Sequence, residues 1–126
     1  MIVLDYRDKR PLYEQVCEKL THLIVSGVLQ PDEKLPSVRN LAMELSINPN
    51  TIQRAYAMLE QDGYIYVITG RGNFVAQPSA WQKEHLTAAE QALENAVDQA
   101  LNDGLTQEQV RDIVKRVFEK REGQTE

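Results

Sequence analysis

Two helix-starting signals lie close together in the middle of the chain and constrain its fold more than any other feature. Ser37 is a favoured N-cap, because its hydroxyl can accept a hydrogen bond from a free backbone N–H of the first helical turn. Asn48 is a second N-cap, and Pro49 after it suits the first helical position. Only Ser46 and Ile47 separate the two helices, which is too short a link for a long antiparallel hairpin. A sharp crossing, as in a helix-turn-helix, is therefore predicted.

Each predicted helix carries one apolar face and leaves polar side chains on the other side. The apolar positions recur at helical spacing, namely Val38, Leu41, Ala42 and Leu45 in the first helix and Ile52, Ala55, Tyr56 and Leu59 in the second. The polar candidates for an outward surface are Arg39, Asn50, Thr51, Gln53 and Arg54. Amides, hydroxyls and guanidinium groups are the groups that hydrogen-bond base edges and phosphates, so this pattern indicates a nucleic-acid contact surface.

A β-hairpin is predicted directly after the second helix, which we expect to stop at Gly63. Residues 64–68 and 74–75 are rich in β-branched and aromatic side chains, which favours two strands. Residues 69–73 form the loop, with Gly70 and Gly72 allowing positive φ on either side of Arg71. Because two strands alone are marginally stable in water, the hairpin is expected to pack on the helices and to project its tip.

Residues 11–77 resemble the DNA-binding domain of the GntR family of bacterial winged-helix transcription factors. The matching pieces occur in the family's order and spacing: Leu35-Pro36-Ser37-x-Arg39-x-Leu41-Ala42, Asn48-x-x-Thr51-Ile52-x-x-Ala55, Leu59-Glu60-x-x-Gly63 and Gly70-Arg71-Gly72-x-Phe74-Val75. The short helical tail and the Asn-Pro-Asn-Thr turn are similar to the YtrA-type subfamily. The chain departs from the family at Pro49 and Gln53, where arginine is common, and these departures bear on base preference.

The charge balance differs between the two parts of the chain. The net charge is −5, but residues 1–77 carry 8 basic and 9 acidic residues, whereas residues 78–126 carry 6 basic and 10 acidic residues. The acidic excess therefore belongs mainly to the tail. DNA binding is expected to depend on a few placed cations and on helix N-termini, and non-specific affinity should be weak.

The chain before the helix-turn-helix is predicted to be an extended arm and one helix. Arg7, Lys9 and Arg10 in the arm are either a phosphate clamp or simply solvated. Pro11 opens the helix and Gly27 ends it. The predicted buried stripe of this helix is Leu12, Val16, Leu20, Leu23 and Ile24. Cys17 beside the stripe is expected to be a packing residue, and a single cysteine fits a reducing cytoplasm.

A domain boundary is predicted at Pro78, giving a DNA-binding domain over residues 1–77 and a helical tail over residues 78–126. Trp81 is expected to anchor the tail to the domain by packing. One helix should run to about Asn102, and Thr106 with Gln109 forms a capping box for the last helix. Apolar and alanine positions at 3,4 spacing favour pairing with a second copy, although the tail could instead fold back on its own domain.

The predicted fold is mainly α with a small β-hairpin, a winged helix-turn-helix followed by a two-helix dimerisation segment. The predicted function is a repressor that binds an inverted-repeat operator in double-stranded DNA as a homodimer. Arg39 would reach the backbone or a guanine, and Arg71, flanked by Gly70 and Gly72, would enter the minor groove or contact phosphate. The alternative is a protein-interaction module built on the same fold.

Catalysis and metal binding have little support in the sequence. There is no glycine-rich phosphate loop after a strand, and His22 and His85 have no ligand partners at metal spacing, so neither an enzyme nor a cofactor is predicted. No apolar run approaches the ~18 residues that a membrane span needs. The tail is too short to enclose an effector alone, so any small-molecule effector is expected between subunits or between tail and domain.

Overall fold

The computed structural model describes residues 2–124, which form five α-helices and one β-hairpin. The elements in chain order are α1 (Leu12–Val25), α2 (Val38–Leu45), α3 (Pro49–Gln61), β1 (Ile65–Ile68), β2 (Gly72–Val75), a 3₁₀ turn (Pro78–Ala80), α4 (Gln82–Asn102) and α5 (Gln107–Gln124). The chain divides into two compact units, one ending at Lys83 and one starting at Glu84. The first unit is a winged helix-turn-helix, and the second contains most of α4 and all of α5, so the predicted fold class is confirmed.

Both predicted N-caps are present and set the directions of α2 and α3. The Ser37 hydroxyl accepts a hydrogen bond from the Asn40 backbone N–H at 3.1 Å, and the Asn48 side chain accepts one from Asn50 N–H at 2.8 Å. Between the helices, Ser46 adopts a left-handed conformation with φ of 56°, which turns the chain within two residues. A short polar side chain tolerates this conformation better than a β-branched one.

One hydrophobic core holds the first unit together. It takes side chains from all three helices, the hairpin and the segment after it: Val16, Leu20, Ile24, Leu41, Ala42, Ile52, Ala55, Tyr56, Leu59, Ile65, Val75 and Trp81. The predicted inward stripe of α3 is completely buried, and the Tyr56 hydroxyl donates a 2.7 Å hydrogen bond to the Pro36 carbonyl. This bond fixes the start of α2 against the middle of α3.

The hairpin is longer than the sequence predicts at its second strand. The sequence predicts Gly72 and Asn73 in the loop, but they pair with Ile68 and Val67, so only residues 69–71 form the turn. A third extended segment supports the hairpin, because Lys34 forms an antiparallel bridge with Phe74 and Leu35 N–H donates to the Asn73 carbonyl. These hydrogen bonds pair backbone groups of β2 that would be unpaired at the edge of a two-stranded hairpin.

The chain stays with the first unit beyond residue 77, where the domain boundary is predicted. Trp81 is buried, and its ring lies 5.6 Å from that of Tyr64. Packing of the indole therefore holds the 3₁₀ turn against the rest of the first unit, and α4 begins directly afterwards at Gln82.

The second unit exposes much of its apolar surface. The predicted capping box is confirmed at the start of α5, because Gln109 N–H donates to the Thr106 hydroxyl and Thr106 N–H donates to the Gln109 side chain. Large apolar side chains that remain exposed are Leu86, Leu93, Leu101, Leu105, Ile113, Val114, Val117 and Phe118. No helix within residues 2–124 has the length and apolar character needed to cross a membrane.

Candidate nucleic-acid interface

The first turns of α3 present polar side chains to solvent while the opposite face is buried. Asn50, Gln53 and Arg54 are exposed and Thr51 is half-buried, whereas Ile52 is fully buried between them. This placement follows from the helical period, since the apolar positions that anchor α3 in the core fix the remaining positions outward. The structure therefore brings these four polar side chains together on one end of α3.

Arg54 is held by an aromatic ring that sequence reasoning did not single out. Its guanidinium carbon lies 3.8 Å from the centre of the Tyr13 ring, within the range of a cation–π interaction. The groove beside this pair is lined by Pro11, Leu12, Tyr13, Asn50, Thr51 and Arg54, where the N-termini of α1 and α3 meet. The contact joins residues far apart in sequence, and no local pattern around Tyr13 indicates it.

Arg39 lies near the start of α2 with its side chain exposed. It forms no ion pair or hydrogen bond through its guanidinium within residues 2–124, so its positive charge is not neutralised by the first unit. Because α2 packs directly on α3, Arg39 is carried by the same rigid pair of helices as Asn50 and Arg54.

The tip of the wing consists of exposed backbone and one exposed cation. Gly70 has φ of 81° and Gly72 has φ of 117°, which confirms the predicted positive φ on both sides of Arg71. A Cβ on Gly72 would lie 3.1 Å from the Lys34 Cε atom, so a larger residue there would press on the side chain that crosses the wing. Arg71 has no ion-pair partner within the described residues.

Asp32 clasps the base of the wing, and this role was not predicted. Its two carboxylate oxygens accept hydrogen bonds from the Tyr66 hydroxyl at 2.8 Å and from the Gln77 amide at 3.0 Å. The hydrogen bond to Asp32 raises the pKa of the Tyr66 phenol. The backbone of Asp32 is left-handed, with φ of 68°, and the Asp32 N–H donates a hydrogen bond to the Val75 carbonyl at 2.7 Å. Asp32 thus ties the loop after α1 to both strands.

The basic cluster in the arm is only partly available. Arg10 forms ion pairs with Asp8 and Glu18, and these carboxylates raise the pKa of the arginine while Arg10 lowers the pKa of Asp8. Arg7 and Lys9 are exposed. Of the three residues that could form a phosphate clamp, Arg10 is therefore already engaged by acidic partners.

His22 and Cys17 do not form a reactive site. His22 is exposed, and burial raises the pKa of the Cys17 thiol, which keeps it in the less reactive protonated form. Within residues 2–124, no group of three or more histidine, cysteine or acidic side chains is arranged to hold a metal ion.

Comparison with known proteins identifies the family. The family model described as "Bacterial regulatory proteins, gntR family" matches residues 12–75, which include every element from α1 to β2. The chain belongs to the GntR family. It is 32% identical over 119 residues to the HTH-type transcriptional repressor YtrA of Bacillus subtilis (strain 168), a match that covers 93% of this chain and 92% of that protein. The family and this relative are transcription regulators rather than enzymes.

Solved structures of GntR proteins share the fold. A GntR family transcriptional regulator from Listeria monocytogenes has a TM-score of 0.78 and 34% identity, covering 90% of this chain and 98% of that one. The AraR DNA-binding domain in complex with operator ORE1 has a TM-score of 0.52 and 32% identity, covering 60% of this chain and 93% of that one. The first comparison shows that the GntR architecture extends through the helical tail.

Proposed function

We propose that this GntR-family chain is a transcriptional repressor that binds an inverted-repeat operator as a homodimer in the cytoplasm. The observation that carries the proposal is the exposed polar end of α3 beside a wing tipped by an exposed arginine, Arg71. A structurally similar GntR domain, that of AraR, has been solved on operator DNA. A repressor is favoured because the full-length relative YtrA bears that name.

The exposed side chains divide by chemistry into groups that read bases and groups that position the protein. Asn50 and Gln53 can each form a bidentate pair with adenine in the major groove, and each such pair discriminates by roughly 1–3 kcal/mol. Arg54 and Thr51 are suited to phosphate or base contacts at the leading end of α3. Arg39 reaches the backbone or a guanine from α2, and Arg71 reaches the minor groove or a phosphate from the wing.

The net charge of the first unit means that individual contacts, rather than general attraction, must supply the affinity for DNA. With nearly equal numbers of basic and acidic residues in positions 1–77, a general electrostatic attraction to DNA is small. Affinity must then come from a few placed cations, and at the proposed contact surface these are Arg39, Arg54 and Arg71, none of which forms an ion pair within residues 2–124. The proposal therefore includes a high ratio of specific to non-specific binding.

The second unit supplies the dimer in this proposal. The exposed apolar side chains of α4 and α5 would be costly to leave in water, and burying them against a second copy stabilises both. Small side chains at Ala89, Ala92, Ala96 and Ala100 allow a neighbouring helix to approach closely. A twofold dimer places two α3 helices in successive major grooves, so the operator should be an inverted repeat.

Selection of bound fragments from a random DNA pool tests the proposal. We expect the enriched sequences to contain an inverted repeat, and a fragment with one half-site to bind much more weakly than the full site. Sedimentation should give a dimer at tens of micromolar. Replacement of Phe118 by glutamate should shift it toward monomer, whereas Gln91→Glu, which adds the same charge at an exposed polar position of α4, should not. A monomeric wild type or the absence of any enriched sequence would contradict the proposal, and the latter would favour a protein-docking role.

A further inference from the structure

A cavity of about 370 Å³ lies inside the first unit, away from the polar end of α3. Its walls are mostly apolar and come from the arm, α1, the following loop and α2, through Ile2, Leu20, Leu29 and Leu41. Small-molecule sites have this character and typically enclose roughly 300–1,000 Å³. The cavity is therefore large enough for one small ligand without any contribution from the tail.

More acidic than basic side chains line the cavity. Glu33 and Glu44 carry carboxylates that form no ion pair within residues 2–124, and one Glu33 oxygen accepts a 3.2 Å hydrogen bond from the Gln30 backbone N–H. Lys34 also lines the cavity, but its side chain reaches over the wing, where its Cε atom lies 3.1 Å from the position of a Cβ on Gly72. With two carboxylates against one ammonium, the lining carries a net negative charge, which favours a cation over an anion.

We propose that this cavity binds a small apolar molecule bearing one positive charge, and that such a ligand acts as an effector of operator binding. The apolar part would lie among the leucine side chains, and the cationic end would face Glu44 and Glu33. The site is within the DNA-binding unit itself, whereas sequence reasoning placed any effector between subunits or between tail and domain.

The cavity wall is connected to both elements of the DNA-binding surface. Leu35 and Pro36 line the cavity. Leu35 N–H donates a 2.9 Å hydrogen bond to Asn73 in β2, and the Pro36 carbonyl accepts the 2.7 Å hydrogen bond from Tyr56 in α3. A ligand that packs on these two residues therefore contacts a stretch of backbone that is hydrogen-bonded both to the wing and to α3.

Through this connection ligand binding would be linked thermodynamically to operator binding, a step that rests on the proposed DNA-binding function. If DNA-bound and free chains hold Leu35 and Pro36 differently, the ligand changes operator affinity by the same factor by which operator changes ligand affinity. A ligand that fits both arrangements equally would change nothing.

The test uses three probes of one shape on the full chain: 4-phenylbutylammonium, 4-phenylbutanol and 4-phenylbutanoate. Binding is followed by NMR through the methyl groups of the leucine residues that line the cavity. We expect the ammonium probe to bind most tightly and the carboxylate probe most weakly. Operator affinity, measured by fluorescence anisotropy, should change when the ammonium probe saturates the chain.

Variants separate the site from other surfaces. Glu44→Gln should weaken the ammonium probe about two- to fivefold and leave the alcohol unchanged. Glu60→Gln, an exposed carboxylate on α3 that does not line the cavity, should leave all probes unchanged. Leu29→Phe fills the cavity and should abolish binding of all three probes. If that variant does not fold, the Glu44→Gln comparison alone still decides the question of charge.

Each result has one meaning. Equal affinity for the ammonium and alcohol probes overturns the charge recognition, and shifts that persist in a folded Leu29→Phe variant overturn the site. Probe binding without any change in operator affinity overturns the effector role and leaves the proposed repressor intact. If the chain fails to bind the selected operator before any probe is added, the proposed function is wrong, and probe binding still reports on the cavity.

Discussion

Removing the Tyr13 ring should weaken operator binding through Arg54, although Tyr13 carries no charge. The ring lies 3.8 Å below the guanidinium carbon and restricts the rotamers of the arginine. An exposed cation–π contact contributes about 0.5–1 kcal/mol, and where it holds Arg54 in the rotamer that contacts DNA, its loss lowers the affinity for one half-site by at most a factor of about 2 to 5. In a homodimer the effect applies twice, so Tyr13→Ala should weaken binding by at most about 5- to 30-fold.

The assay is fluorescence anisotropy on the full operator, with Tyr13→Phe as the matched variant that keeps the ring. We expect Tyr13→Phe to bind close to wild type. Tyr13→Ala should keep the wild-type dependence of affinity on salt, since the number of cations is unchanged. Arg54→Ala should instead make the slope of log affinity against log salt shallower, by about 1 for each phosphate that the arginine neutralises. Circular dichroism checks that the variants are folded.

A double-mutant comparison decides whether Tyr13 acts through Arg54. In an Arg54→Ala background, replacing Tyr13 by alanine should have little further effect, because the pair has already been broken. An equal loss of affinity in both backgrounds would refute the reasoning and show that Tyr13 acts on DNA, or on the fold, by itself.

Three further predictions concern the framework of the first unit. Gly63→Ala should lower the free energy of unfolding, measured in urea titrations, by much more than Gly27→Ala does. Both glycines have left-handed φ, but of the two only Gly63 would place its Cβ against a backbone oxygen, that of Ala80 at 2.7 Å. Equal losses of stability would contradict this reasoning. Tyr56→Phe should cost about 0.5–1.5 kcal/mol by removing the hydrogen bond that the Tyr56 hydroxyl donates to the Pro36 carbonyl. Burial, with a smaller effect from a nearby carboxylate, raises the pKa of Tyr56 to about 12. The stabilising contribution of this residue is therefore complete below pH ~10 and is lost between pH ~10 and 12. Tyr56→Phe should lack this loss of stability at high pH. Asp32→Ala should leave the helices folded but increase amide hydrogen exchange in the wing, and unchanged exchange would argue against the clasp.

Elements with local causes were predictable from the sequence. The caps at Ser37 and Asn48 each act within three residues, and the buried stripe of α3 follows from its period alone. The capping box at Thr106 is likewise a local motif. In each case the residues that cause the structure are close enough in sequence to be recognised as a pattern.

Features that depend on distant residues were not predictable in the same way. The bridge between Lys34 and Phe74 and the hydrogen bonds of Asp32 join segments that are about 35 to 45 residues apart. The cation–π pair of Tyr13 and Arg54 also joins two separate helices. These contacts form only once the core has brought the segments together, so no local sequence pattern predicts them.

In the candidate interface, too, some features follow from local sequence and others depend on distant residues. Outward placement of Asn50, Gln53 and Arg54 follows from burial of their neighbours, and positive φ at Gly70 follows from the composition of the turn. The ion pair of Arg10 with Glu18, in contrast, depends on how the arm lies against α1. Which of the exposed side chains touch DNA stays a prediction.

Operator affinity of two single-arginine variants tests the central claim most directly. Arg39→Ala and Arg71→Ala remove exposed cations from α2 and from the wing tip, and Arg116→Ala removes an exposed one from α5 as the control. We predict that each of the first two variants weakens binding to the selected operator at least several-fold with the fold intact by circular dichroism, and that the control binds like wild type. Unchanged affinity in both Arg39→Ala and Arg71→Ala would contradict the proposed DNA-contact surface.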